Sequence, residues 1–491
     1  MNMVLSVSKL GEGMVVPCEV TPSGTLGLSL IDALPALRDK VRSLNVFRHG
    51  PNAAAVIREA LSKALVHYYP LAGRLVEAPL LQLACTGEGV WFVEASAQCN
   101  LEAIDYLDNE ILEWRLQLLP QPPPEKDGFD PLVLMQANHL NQFELLDGII
   151  NKVLIVTGFC SAGLVRVTQF TCGGFVMGLQ FSHCVCDGMG AAQFLKAVGE
   201  FARGIQFPTI PPVWCREALP PPPPAHAAIP PPPLPDFEDR HISLEHANID
   251  ISPDLITRLK LQFLELTGKP CSTFEALAAR VWRCRAQAIA YNNFAAPATA
   301  ADNNNNNNLN GGDATLAFFS NARRLVDPPL PQGFYGNCVF PVAISLPMAK
   351  LRCATQVEIV KLIQEAKAKL PAQVTQWMAK NKRNDHDHYD DDNDNDNDDG
   401  YVDPFAPPPL PCDTLFAAEW GRLGFGEVDY GWGPPIHMAP VNYSSTIPVC
   451  IMGSPPSPRK GVRLMTWCVE DSHLSTFCQL LMDQPLKEVS V

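Results

Sequence analysis

Between residues 208 and 235 the chain is rich in proline, with Pro220–Pro224 and Pro230–Pro233 as unbroken runs. Each proline fixes φ and removes a backbone donor, so this stretch reads as a semi-rigid extended connector. It divides whatever fold the chain adopts. At 491 residues the chain is too long for one compact core. The connector therefore predicts an N-terminal domain over 1–207, a crossover over 208–240 and a C-terminal domain over 241–491. Apolar residues make up 47% of the chain, enough for two cores.

Local patterns on either side agree with each other. In 52–69 the residues Ile57, Leu61, Ala64, Leu65 and Tyr68 share one helical face, and Pro70 ends the helix. Residues 165–182 read as two apolar strands around Gly173-Gly174, a hairpin. Helical spacing returns over 188–203 through Ala191, Phe194, Leu195, Val198 and Phe201. Beyond the connector, Ser252 reads as an N-cap with Pro253 at the first helical position, and Ser272 with Glu275 fits a capping box. Strands and helices alternate in both halves, which predicts two layered α/β domains.

The net charge of −15 is concentrated in one place. Residues 385–399 hold nine aspartates and no Lys or Arg, and removing those nine leaves −6. That run, within 381–400, and the asparagine-rich 301–312 have too little apolar surface to order, and both read as surface loops without chemistry. No basic footprint for nucleic acid is visible. No apolar run is long enough for a membrane span, and the first residues lack a signal-peptide core. The 16 cysteines show neither metal spacing nor the density of a disulfide-stapled fold, so a reducing, cytoplasmic setting is expected.

A histidine followed by aspartate at the fourth position occurs four times: His183/Asp187, His246/Asp250, His386/Asp390 and His388/Asp392. Chance alone supplies about one such match in a chain of this composition. The last two fall in the acidic run, and the second lacks a glycine turn. His183 leaves an apolar strand, and Asp187-Gly188 turns the chain into a helix. With an ordinary pKa of roughly 6.5, a neutral histidine there can accept a proton near pH 7. The aspartate can pair with a distant arginine and hold the turn. A core histidine beside an N-capping aspartate explains the same spacing, and both readings stay open at this level. Metal binding by His183, Cys184, Cys186 and Asp187 is disfavoured, because neighbours at a strand end point apart and no distant ligand pair completes a set. No serine-hydrolase elbow, phosphate loop or dinucleotide fingerprint is present.

The second landmark is EVDYGWGPP, residues 427–435. Gly431 and Gly433 permit backbone angles closed to other residues, Trp432 is a rigid wall, and Asp429 needs a partner if buried. A tight structural turn is the expected role.

Together, HCVCDG at 183–188 and DYGWG at 429–433 resemble the HxxxDG and DFGWG motifs of the plant BAHD acyltransferases, with Tyr430 where the family has Phe. Shorter stretches fit as well: ALVHYYPLAGRL (64–75), CTGEGVWFVEA (85–95), NARRLVDPPLPQGFYGN (321–337) and EWGRLGFGEVDYGWG (419–433). The likeness is strongest to the branch that moves benzoyl, hydroxycinnamoyl or acetyl groups onto alcohols. It implies two chloramphenicol-acetyltransferase-like α/β domains with mixed sheets and a channel between them. It implies acyl-CoA as a co-substrate with no bound cofactor and no metal, a small alcohol or amine acceptor, and a monomer. His183 would be the catalytic base. Asp187 would be a structural aspartate paired with Arg323, beside Gly188. Asp429, Gly431, Trp432 and Gly433 would shape the site from outside, and Trp420 would wall it and steady an oxyanion. N-acylation, or a catalytically dead relative acting as a binding protein, is the alternative.

One departure stands out. Where the family passes almost directly from a strand like 131–136 to one like 167–175, this chain carries residues 137–166 in between. The stretch reads as an insertion or a translated intron. It is expected to pack poorly or to extend a strand that has no partner.

Overall fold

The computed structural model describes residues 5–38, 40–76, 81–108, 112–121, 160–161, 163–222, 243–295, 312–382, 401–405, 414–441 and 447–483. In the first half the elements are β1 (Val7–Val15), β2 (Thr25–Gly27), β3 (Lys40–Phe47), α1 (Ala53–His67), β4 (Arg74–Val76), β5 (Gln82–Ala84), β6 (Val90–Ala97), α2 (Leu112–Leu118), β7 (Cys160–Ser161), β8 (Gly163–Phe170), β9 (Phe175–Ser182) and α3 (Gly188–Ala202). In the second they are β10 (Leu244–Ile251), α4 (Pro253–Thr267), α5 (Thr273–Ala295), β11 (Asp313–Asn321), β12 (Val339–Pro347), α6 (Met348–Cys353), α7 (Gln356–Lys382), β13 (Thr414–Glu419), β14 (His437–Pro440), β15 (Val449–Gly453), β16 (Val462–Glu470) and α8 (Asp471–Met482).

Among the described residues, two mixed six-stranded sheets organise the fold, in the orders β1-β6-β8-β9-β3-β14 and β10-β16-β15-β13-β11-β12. A smaller sheet, β2-β5-β4-β7, completes the first half. Helices α1 and α3 share one core with the first sheet, and α4, α5, α7 and α8 share another with the second. The local expectations hold. The predicted face of α1 is buried. The hairpin forms between β8 and β9, with Gly173 at φ 82°. Ser252 caps α4 through a 3.2 Å bond from the Leu255 N–H. Ser272 and Glu275 cap the start of α5 reciprocally, at 2.9 and 3.1 Å.

β9 runs through the middle of the first sheet, and all eight of its residues are buried. Phe175, Met177, Leu179 and Phe181 face the core under α1 and α3, while Val176 faces a second cluster on the other side. Burying each large side chain contributes about 2 kcal/mol. Gly178 has no side chain because the end of α2 lies on it: a Cβ there would stand 2.3 Å from the Leu118 carbonyl oxygen. A strand so fixed delivers His183, its next residue, to a defined place.

The division at the connector is not clean. β14, from the second half, pairs antiparallel with β3 in the first sheet, His437 opposite Val46 and Pro440 opposite Ser43. Phe425, Val428 and Tyr430 join the first half's core with it. The open edge of β3 needs a partner, and the chain supplies it from far downstream. Residues 208–222 of the connector are described; 223–242, most of 301–312 and most of 381–400 lie outside the described residues.

The expectation that 137–166 would extend a strand without a partner fails for its described part. Cys160–Ser161 pair with β4, and residues 163–166 lie within β8, where Leu164 faces Trp91 on one side and Gln180 on the other. Residues 137–159 lie outside the described residues. Among the described residues no helix is long and apolar enough to cross a membrane.

Candidate active site

His183 follows directly on β9 and is half-buried, while Cys184, Val185, Cys186 and Asp187 behind it are buried. The two cysteines turn into the core. Cys184 donates from Sγ to the Leu37 carbonyl at 3.2 Å, and burial pushes the Cys186 thiol up. Neither is placed as a nucleophile, since the thiolate is the reactive form. Among the described residues no three His, Cys, Asp or Glu side chains gather as a metal would need.

Asp187 faces away from solvent. Its Oδ1 accepts from the Gly190 N–H at 3.0 Å, which caps α3. It also accepts from Nη2 of Arg323, and the Asp187 Oδ2 lies 2.8 Å from Nη1. The capping and ion-pair readings of this aspartate are therefore both true. Arg323 lies just past β11 and also donates to the Gly336 carbonyl at 2.7 Å. Burial lowers its pKa, and the Asp187 carboxylate more than offsets that. Gly190 is required for this docking, because a Cβ there would fall 1.9 Å from the Tyr335 carbonyl oxygen.

His183 is held from the other side. Its Nδ1 lies 3.1 Å from Oδ1 of Asn337, which is fully buried. Nδ2 of Asn337 donates to the His183 carbonyl at 2.7 Å and to Oδ1 of Asp32 at 2.8 Å. Asp32, also fully buried, takes Nε of Arg216 at 3.2 Å. Arg216 donates to the Val185 carbonyl and stacks on Trp214 with its guanidinium 3.6 Å from the ring centre. Asp32, Asn337 and Arg216 were missed by the motif reading. The available signal for Asp32 was a lone charge in an apolar run, LGLSLIDALPAL (26–37), since such a charge needs a partner when buried.

The DYGWG segment lies along α3. Leu423 meets Gly188 near the helix start, where a Cβ would come within 2.6 Å of its side chain. Lys196 pairs with Glu427, and Arg203 donates to the Asp429 carbonyl near the helix end. Gly199 permits that approach: a Cβ would stand 2.5 Å from the same carbonyl. Oδ1 of Asp429 accepts from the N–H groups of Gly431 and Gly433 at 2.8 and 2.9 Å, closing the turn on itself. Both glycines have positive φ, 108° and 91°. Trp432 packs edge-on against Phe175 at 5.9 Å. Tyr430 is buried between Phe47 and Phe175, its hydroxyl donating to Sδ of Met177 at 3.1 Å. The structure thus brings His183, Asp187, Gly188, Arg323 and the 429–433 turn together around α3. Trp420 follows β13 and packs with Ile451, Met465 and Trp467 on a face of the second sheet, its ring 6.4 Å from that of Phe425 in the first half's core.

A half-buried imidazole at a strand end, anchored by an amide and backed by a capped helix, can accept and return a proton. A family model described as the Transferase family matches residues 5–143 and 162–481. Acyl transferase 4 of Oryza sativa subsp. japonica is 36% identical over 97% of this chain and 98% of its own length. A myricetin 3-O-glucosyl 1,2-rhamnoside 6'-O-caffeoyltransferase of Crocosmia x crocosmiiflora is 35% identical over 97% and 98%. A 3'-N-debenzoyl-2'-deoxytaxol N-benzoyltransferase of Taxus canadensis is 31% identical over 96% and 94%. The crystal structure of vinorine synthase shares the fold, with TM-score 0.65 at 18% identity over 98% of both chains.

Proposed function

We propose, for a chain that belongs to the Transferase family of plant BAHD acyltransferases and is accordingly an acyl-CoA-dependent acyltransferase, that His183 is the general base of an O-acyl transfer. The acyl group is hydroxycinnamoyl, benzoyl or acetyl, and the acceptor is the hydroxyl of a plant metabolite. One observation carries the reading: the motif divides, with His183 left half-exposed at the strand end while Asp187 is buried on Arg323. The imidazole takes the hydroxyl proton as the oxygen attacks the thioester carbonyl. A C–O bond forms, the tetrahedral intermediate collapses with loss of the C–S bond, and the imidazolium returns its proton to the CoA sulfur. Because no covalent acyl-enzyme is formed, the protein contributes positioning and a base. Trp420 is assigned to the wall that steadies the oxyanion, and a channel between the domains admits the two substrates.

Similarity to a caffeoyltransferase over almost the whole chain supports a hydroxycinnamoyl donor and a hydroxyl acceptor. An amine acceptor is the second reading, supported by the N-benzoyltransferase likeness. We further propose that the enzyme works as a cytoplasmic monomer. Residues 137–166, of which the family match leaves out 144–161, are proposed as an insertion relative to the family. A transcript lacking those codons would identify it as a gene-model error, and one retaining them would remove that explanation.

The test is CoA release by purified protein with acetyl-, benzoyl- and hydroxycinnamoyl-CoA against mixed alcohols and amines. Acceptor-dependent release is expected. His183→Ala should reduce it by ~100-fold or more, the lower range for a lost general base, without lowering the melting temperature. Release unchanged by that substitution would sink the assignment of the base, and silence across the panel would favour a non-catalytic binding protein.

A further inference from the structure

A neutral histidine serves as a base only through the nitrogen that carries no hydrogen, and which nitrogen that is depends on what the other one meets. In water the neutral ring holds its proton mainly on Nε2, which is the wrong arrangement for a base acting at Nε2.

In this structure the choice is made by acceptor chemistry. The amide nitrogen of Asn337 lies 2.8 Å from the Asp32 carboxylate and 2.7 Å from the His183 carbonyl oxygen. Both are acceptors only. Turning the amide over would set its oxygen against a carboxylate and a carbonyl and would lose both bonds, so its orientation is fixed. Oδ1 must then face Nδ1 of His183, at 3.1 Å. An amide oxygen only accepts, so Nδ1 must be the donor, and the lone pair of the neutral ring is on Nε2. Asp32 is itself fixed, by Arg216 at 3.2 Å and by the N–H and hydroxyl of Ser29 at 3.0 and 2.8 Å. None of these groups is exposed to water that could compete: Asp32 and Asn337 are 0% accessible and Arg216 is 2%.

We infer that Asn337, oriented by Asp32 and Arg216, fixes His183 as the Nδ1–H tautomer and so keeps Nε2 unprotonated for the acceptor. These three are positioning residues. The inference rests on reading His183 as the base. It has a chemical corollary. When Nε2 takes the acceptor's proton, Nδ1–H keeps the same bond to Asn337, so the relay need not rearrange during the reaction. Because the amide oxygen takes no proton at Nδ1, the proton must leave by the nitrogen through which it arrived, toward the departing CoA sulfur.

The experiment is long-range 1H–15N correlation on full-length protein labelled at histidine, at a pH where the ring is neutral. The His183 signals are identified by their loss in His183→Ala. The wild type should show Nδ1 protonated and Nε2 bare. Asn337→Ala should shift the ring to Nε2–H or to a mixture, and should lower kcat by about 10- to 100-fold with the KM for acyl-CoA within about twofold, since a wrong tautomer disables a base without disturbing substrate binding. If Asn337→Ala does not fold, Asn337→Ser is read the same way, because serine cannot bridge Asp32 and Nδ1. Nε2–H in the wild type would overturn the inference whatever the variants do. Retention of Nδ1–H together with full kcat in the variant would overturn the role of Asn337. Nδ1–H in a protein inactive toward every donor would instead reject the proposed activity and leave the tautomer assignment standing.

Discussion

Asp187 and Arg323 stand 136 residues apart in sequence and meet as a two-pronged pair, both contacts at 2.8 Å, with side chains only 4% and 11% accessible. The pair ties the start of α3 to the end of β11, and so joins the two halves directly behind His183. Removing one partner of a buried pair leaves the other charge unpaired, at a cost of about 3–5 kcal/mol. Arg323→Ala should therefore lower the melting temperature markedly and remove activity with it. An Arg323→Ala protein that melts like the wild type would show that the pair does not hold the site.

Gly190 has no room for a methyl group, with the Tyr335 carbonyl oxygen 1.9 Å from where a Cβ would sit, whereas Gly13 on β1 has nothing within 4 Å. Gly190→Ala forces backbone to move and should destabilise by about 3 kcal/mol or more, at the upper end for overpacking. Gly13→Ala should stay within about 0.5 kcal/mol, as surface changes do. Thermal melts of both variants, side by side, check the contrast.

Tyr430 places a buried hydroxyl on a sulfur acceptor. Sulfur is a weak acceptor, so the bond repays little of the hydroxyl's desolvation. Tyr430→Phe is expected to be neutral, or stabilising by up to about 1 kcal/mol, with kcat unchanged. A loss beyond about 1 kcal/mol in denaturant titration would mean that the phenol has a structural role of its own.

One buried histidine, His437, and one half-buried one, His246, make stability sensitive to acid. Burial, with the charges of Arg463 and Arg115 nearby, pushes His437 down to about 3, and burial with Arg463 pushes His246 down to about 4. The unfolded chain takes up these protons near the ordinary value of 6.5 and the folded chain does not. Their contribution is thus complete above about pH 6.5 and is lost as pH falls toward 4 and 3, each by up to about 1.4 kcal/mol per pH unit. Stability measured from pH 7 to pH 4 should fall steeply, and His437→Leu should flatten the slope. An equal slope in wild type and variant would exclude His437 as its source.

What the sequence disclosed was the part encoded within a few residues. The helical face of α1, the glycine hairpin before His183, the cap at Asp187 and the capping box at Ser272 each depend on neighbours three or four positions away. The glycines of 429–433 marked a turn on their own, and the resemblance added Arg323 as the partner of Asp187. Asn337 lies 305 residues from Asp32 and 154 from His183. No local period records that meeting, and Asn337 was visible only as a letter inside a matched stretch. The same holds for β14, four residues long, whose partner strand lies nearly the whole chain away. Pairing of that kind is decided by which edge is left open after the rest of the sheet has formed.

That edge has a consequence on the ribosome. Residues 1–207 can emerge and collapse while the strand that completes their sheet, His437–Pro440, is still unmade. At ordinary synthesis rates the wait is on the order of tens of seconds. Throughout it the backbone of Lys40–Phe47 offers unpaired donors and acceptors along one side, the feature by which nascent sheets recruit the wrong chain. A fragment ending at the proline-rich connector would keep that open side permanently. Newly made enzyme should accordingly depend on chaperones until residues 437–440 have been made, and a chain that reaches them, not its first half, is the smallest unit that closes the sheet.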